Sequence, residues 1–185
     1  MNRREAVQYI SVLLGGSLVG SNSFLSGCAT KDKKSNFSDT DIAYLDEIAE
    51  TILPATNTPG AKDAQVGEFI SLIVDECYEE SERKIFLDGM KRINQLSKNQ
   101  FGNGFMKIDT QQRHQLLGQL DKEQKDYMKS KKADQPSHYF RMIKELTLLG
   151  YFTSEPGCTK AKRYFPVPGR FDGCIPYKKG EKAFS

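Results

Sequence analysis

Apolar residues recur at three- and four-residue spacing along most of the chain, and polar caps and glycine- or proline-rich breaks divide that pattern into helices. Ile42, Leu45, Ile48, Ala49 and Ile52 mark one face of a helix that Ser38 or Asp39 caps and Pro54 stops. Pro54 to Gly60 reads as a turn-rich loop, after which Val66, Phe69, Ile70, Ile73, Val74 and Cys77 mark a second helical face, with Cys77 expected as a small core residue. A third helix starts near Ser81, carries Ile85, Phe86, Met90, Ile93 and Leu96, and ends at Gly102-Asn103-Gly104, with Phe105 and Ile108 turned into the core. Asp109 is expected to cap a shorter helix bearing Leu116, Leu117 and Leu120, followed by a charged, partly helical segment from Asp121 to Asp134. Pro136 opens a last helix with Tyr139, Phe140, Ile143, Leu146 and Leu149, for which Gly150 is the expected terminus. No alternating strand pattern of useful length occurs. The fold class is therefore mainly α: a small helical bundle with an irregular Gly/Pro/aromatic-rich C-terminal arm.

The ends depart from this pattern. Val7 to Leu25 is weakly hydrophobic but diluted by Gly15, Gly16, Ser17, Gly20, Ser21, Asn22 and Ser23, too broken for a membrane-spanning helix. It follows a cationic start at Arg3-Arg4 and leads to Leu25-Ser26-Gly27-Cys28, which looks like a bacterial lipobox, with Cys28 acylated and the chain cut before it. Residues 1–27 are thus expected to be an export signal. Asn2-Arg3-Arg4-Glu5-Ala6-Val7 resembles a twin-arginine signal, although an ordinary secretory signal also begins with basic residues. Residues 28–37 would be a flexible tether, 38–150 a helical domain and 151–185 an extended arm packing on the domain, on a partner, or on both. The expected location is the periplasmic side of a bacterial membrane, with the lipid on Cys28 as anchor.

Charge narrows the function classes. The formal net charge is +3, of which Arg3, Arg4 and Glu5 contribute +1, and the remaining +2 lacks the concentrated positive field that nucleic-acid binding requires. Four cysteines become three once Cys28 is acylated. Cys158 and Cys174 are a candidate disulfide closing a short loop, and either could instead bridge to a partner; the spacing does not choose. His114 and His138 have no second ligand at metal or haem spacing, and there is no Cys-x-x-Cys and no phosphate-binding glycine loop. Glu79, Glu80 and Glu82 read as a solvated helix end, and Ser81, Thr153 and Ser154 lack a partnered histidine. No catalytic, cofactor-binding or metal-binding residue is expected in this chain.

The segments Gly150 to Cys158 and Arg163 to Cys174 set aromatic and arginine side chains among Pro/Gly turns. Such a composition suits protein contact, since large anchors on a stiff segment lose little entropy on binding; an arm folded over its own bundle is the competing reading. Tyr151, Phe152, Tyr164, Phe165, Arg170 and Phe171 are the candidate partner-binding residues.

Two stretches carry a family resemblance: Ile48 to Phe69, with Ile52-Leu53-Pro54-Ala55 and Thr58-Pro59-Gly60-Ala61 ahead of Val66, and the tail from Leu148-Leu149-Gly150-Tyr151-Phe152-Thr153-Ser154 to Gly173. In these the chain resembles the gluconate 2-dehydrogenase subunit 3 family, small subunits of bacterial membrane-associated flavin dehydrogenases. The resemblance implies a non-catalytic helper. A large flavoprotein of the glucose-methanol-choline type carries FAD, does the chemistry, and often passes electrons to a cytochrome c subunit. The signal would serve export of the folded pair, and the acylated Cys28 would hold it at the membrane, although a lipobox departs from the plain cleavable signal of many relatives. A free-standing periplasmic lipoprotein acting as a structural or chaperone-like binding module is the alternative.

Overall fold

The computed structural model describes residues 35–167, 169–170, 173–176 and 178–184. The expectations for Arg3, Arg4, Leu25, Ser26, Gly27, Cys28 and Phe171 lie outside those residues. Among the described residues there are five α-helices: α1 (Asp39–Ile52), α2 (Val66–Cys77), α3 (Glu80–Phe101), α4 (Thr110–Ser130) and α5 (Tyr139–Thr153). Among the described residues a 3-10 turn at Phe105–Lys107 and a π-helical turn at Gly157–Ala161 complete the regular structure, and pairing between extended segments there is limited to one isolated bridge between Arg163 and Phe184. The mainly α bundle expected from the sequence is what forms. No described helix is long and apolar enough to cross a membrane.

Local chemistry sets the helix starts. Ser38 caps α1 reciprocally: its hydroxyl accepts from the Asp41 amide at 3.3 Å while the Asp41 carboxylate accepts from the Ser38 amide at 3.0 Å, an arrangement worth about 1 kcal/mol. Asp109 and Gln112 repeat this box at α4. Helix α2 has no cap of its own, because Gln65 stands before it in the left-handed region at φ 51°. Asp46 of α1 supplies the missing acceptor, taking the Gly67 amide at 2.7 Å. Gly67 is needed there, since a Cβ would lie 2.7 Å from both Asp46 Oδ1 and the Ile42 carbonyl oxygen. Burial pushes the Asp46 carboxyl above its ordinary pKa despite that bond.

Helix α5 is the axis of the bundle and packs against α1, α2, α3, α4 and the π-helical turn. Its Phe140, Ile143, Leu146 and Thr147 are buried with Leu45, Ile48, Ile70, Phe86, Ile93, Phe105 and Leu116. The Tyr44 and Phe105 rings meet edge to face at 5.6 Å, and the Tyr44 hydroxyl donates to the Met90 carbonyl at 3.2 Å.

Four local expectations need correction. Helix α4 includes the segment after Leu120 as far as Ser130, one unbroken helix rather than a short helix and a separate piece: Asp121 takes Lys125 one turn on and Lys144 from α5, and Gln124 turns into the core. Those two ammonium groups hold the Asp121 carboxyl down at about 2. Helix α5 begins at Tyr139, not Pro136, because His138 is its cap. The same helix continues past Gly150 to Thr153. Cys77 closes α2 and is exposed: it keeps the angular position of Val66 and Ile70, but stands at the last residue of the helix, past the buried part of that stripe.

The His138 cap titrates. Nδ1 accepts the Phe140 amide at 3.2 Å, so Nε2 carries the proton and faces Glu123 at 3.7 Å, with the ring stacked on Tyr139 at 4.3 Å. Burial lowers its pKa below 6.5, while Glu123 pulls the other way. The unfolded chain therefore takes up this proton first. The stability contribution is complete above pH 6.5 and is lost as pH falls through the depressed folded value. Thermal melting from about pH 8 to about pH 5 should show this decline in the wild type, and His138→Asn, which caps without titrating, should flatten it. Parallel profiles for the two proteins would assign the decline to other groups.

Candidate partner-binding surface

Glu50 organises the loop between α1 and α2. Its carboxylate accepts the Ala55 amide at 2.8 Å and the Lys62 amide at 2.9 Å, one on each oxygen, so the loop wraps around a single side chain. Gly60 passes so close that a Cβ there would sit 2.4 Å from both carboxylate oxygens. Ala61 is fully buried behind it and donates its amide to the Leu53 carbonyl at 3.0 Å. The end of α5 docks on this loop. The Tyr151 hydroxyl donates to the Pro59 carbonyl at 2.7 Å, and Gly150 admits the Phe69 ring of α2. Residues 92 positions apart are thus joined at one corner of the bundle.

The arm leaves from that corner. Ser154 turns the chain: its hydroxyl donates to the Tyr151 carbonyl at 2.7 Å and accepts the Gly157 amide at 3.1 Å. The Cys158 thiol then donates to the Phe152 carbonyl at 3.2 Å, and the Lys162 ammonium lies 5.0 Å over the Phe152 ring. Arg163 ties the start of the remaining arm to its end. Its amide donates to the Ala183 carbonyl at 2.8 Å, its Nε to the Lys182 carbonyl at 2.9 Å, and its guanidinium lies 4.0 Å from the Phe184 ring centre. Glu181 approaches the same guanidinium at 3.6 Å, and Lys182 reaches the Lys160 carbonyl. Arg163 and the described residues 181–184 are therefore joined, closing the arm at its base.

The profile of the gluconate 2-dehydrogenase subunit 3 family matches residues 39–169, from the first turn of α1 into the arm. The chain belongs to this family. No curated protein and no solved structure matches it. Membership in the subunit 3 family makes it a small-subunit type, associated with other subunits of a dehydrogenase. The two stretches that carried the resemblance in the sequence are the two that meet at the Tyr151–Pro59 corner.

Within this subunit 3 chain the candidate contact residues separate. Tyr151 is 4% exposed and its hydroxyl is used by Pro59, so it braces the fold and presents no surface. Phe152 is half-buried against the core. Tyr164 and Phe165 are 56% and 55% exposed on the arm, where Arg170 is exposed too. Cys158 carries a free thiol, so the candidate bridge to Cys174 is not formed in this structure. His114 is exposed and His138 is a helix cap. Among the described residues no group of three or more His, Cys, Asp or Glu side chains could hold a metal ion. A groove of about 550 Å³ lies between α1 and α3, floored by Tyr44, Leu87, Met90 and Met106.

Sequence reasoning missed Val167, Ile175 and Phe184, large apolar side chains 77%, 53% and 53% exposed on the same arm. It missed Arg163 as the closing residue as well, since nothing in the local pattern pairs it with a ring near the end of the chain. Leu72 on α2 and Leu149 on α5, two helices that pack together, are large exposed apolar side chains as well.

Proposed function

We propose that this chain is the non-catalytic small subunit that binds, helps to export and tethers to the membrane a flavin-dependent dehydrogenase of the glucose-methanol-choline type, acting on a sugar or sugar acid such as gluconate. FAD belongs to the large partner, with a cytochrome c subunit as electron acceptor where the complex has one. One observation carries the reading. The family's two signature stretches build a rigid corner, and from it projects an arm whose exposed residues are Tyr, Phe, Val and Ile, side chains that an isolated chain gains nothing by exposing. The lipid on Cys28 supplies the tether and the Arg3-Arg4 signal the export route.

A clean test removes residues 163–185. Truncation after Gly150 is unsuitable, because it takes away buried Tyr151 and the π-helical turn that packs on α5. The shorter deletion should leave helicity intact and abolish copurification of a yellow flavoprotein in mild detergent. Full retention of the flavoprotein would remove the arm from the contact. Absence of any flavoprotein with the full chain would favour a free-standing lipoprotein instead. Cys28→Ser should move the protein from the membrane fraction to the soluble periplasmic fraction.

A further inference from the structure

The arm concentrates charge as well as apolar surface. Residues 151–185 hold seven Lys or Arg against three Asp or Glu, a net +4, so residues 1–150 carry −1 of the chain's +3. Lys160, Lys178, Lys179 and Lys182 are all exposed, on the segment that also exposes Tyr164, Phe165, Val167 and Ile175. Residues 38–150 by themselves carry −4, so an acidic helical body bears one cationic, aromatic projection.

We propose that the loop closed by Arg163 is a pre-organised docking element for an acidic, apolar-floored patch on the large flavoprotein, which rests on the subunit reading above. Closure at Arg163 holds both ends of the loop in place before any partner arrives, so part of its ordering entropy is already spent and the aromatic side chains start near their bound positions. The lysines steer the encounter, and Tyr164 and Phe165 supply the buried anchors. An anionic bilayer is the other surface that attracts such a composition. The arm's backbone argues against it: beyond the π-helical turn the described residues form no helix, and irregular backbone cannot bury its amide and carbonyl groups in hydrocarbon. Membrane-surface segments present a continuous apolar helical face, which the described residues of this arm do not form.

The test uses the full-length chain in detergent and the flavoprotein it captures, released and returned to immobilised wild type and variants. Lys178→Glu with Lys179→Glu should raise Kd about tenfold, mainly by slowing association, and the wild-type on-rate should fall as NaCl rises from about 50 to about 300 mM. Tyr164→Ala with Phe165→Ala should raise Kd by about 30-fold or more, mainly through faster dissociation. Arg163→Ala should weaken binding while leaving the helical circular dichroism unchanged. The proposal is overturned if both double variants bind like the wild type with no salt dependence. It is equally overturned if they keep flavoprotein affinity but lose binding to phosphatidylglycerol/phosphatidylethanolamine vesicles, which would assign the arm to lipid. Failure of the wild-type chain to capture any flavoprotein defeats the subunit reading itself, a result distinct from either.

Discussion

Replacing Gly150 with valine should destabilise the protein by about 3 kcal/mol, because the new Cβ has nowhere to go. Built on this backbone, it lies 2.6 Å from Phe69 Cδ1 and 3.2 Å from Cε1 and Cγ of the same ring. Opposing this, any residue other than glycine gains helix propensity at an interior helical position, by at most about 1 kcal/mol, and valine gains less than alanine. Overpacking wins because the obstacle is an aromatic ring wedged between two helices, not the flexible end of a long side chain. Melting should fall by roughly 6–12 °C for a domain of this size. Combining the change with Phe69→Ala should restore part of the loss, since the added methyl groups then occupy space the ring vacates. A wild-type melting temperature for Gly150→Val would mean that α2 and α5 can separate at this contact without cost.

The consequence reaches function through Tyr151, the next residue. Pushing α5 away from α2 pulls the Tyr151 hydroxyl from the Pro59 carbonyl, a bond worth about 1 kcal/mol, and shifts the turn at Ser154 from which the arm departs. The arm's position is set at this corner, so a substitution at Gly150 should weaken partner capture while leaving Tyr164 and Phe165 chemically intact.

The sequence made α1 and α3 legible because each couples a regular apolar stripe to a local signal, Ser38 and Pro54 for α1 and Gly102 in the left-handed region at φ 74° for α3, while α2 was legible from its stripe alone, Val66 to Val74. Where the deciding partner lies far away in the chain, local pattern misled. The charged run after Leu120 has no apolar stripe to announce a helix, and it is helical because Lys144 of α5 and the buried face of Gln124 hold it. Gly150 resembles a helix terminator, yet its reason is the Phe69 ring on another helix. Composition alone marked the arm as a contact segment, but its closure depends on Arg163 meeting Phe184, and the core position of Tyr151 depends on Pro59. Both are tertiary facts that no window of neighbouring residues contains.

Glu47 carries the second large effect. From α1 it receives Arg113 of α4 and Lys62 of the loop, with its own side chain 19% exposed and that of Arg113 13%. Arg113 is held in place by more than charge: Nε donates to the Phe105 carbonyl at 3.1 Å, a terminal nitrogen to the Met106 carbonyl at 3.0 Å, and the guanidinium lies 5.5 Å from the Phe105 ring centre. Because these contacts keep the cation in its half-buried place, Glu47→Ala cannot let it swing out to water without breaking them. The expected cost is about 3 kcal/mol, dominated by a desolvated guanidinium left without its carboxylate. Arg113→Met should cost less, since Glu47 keeps Lys62 and the methionine fills part of the space. The double variant should be more stable than the sum of the two losses predicts, by about 1–3 kcal/mol, because removing both charges removes the stranded one. Urea denaturation of the four proteins measures this directly, provided the m-values agree. Strict additivity would mean that Glu47 and Arg113 stabilise the bundle independently and that the pair between α1 and α4 contributes no coupling.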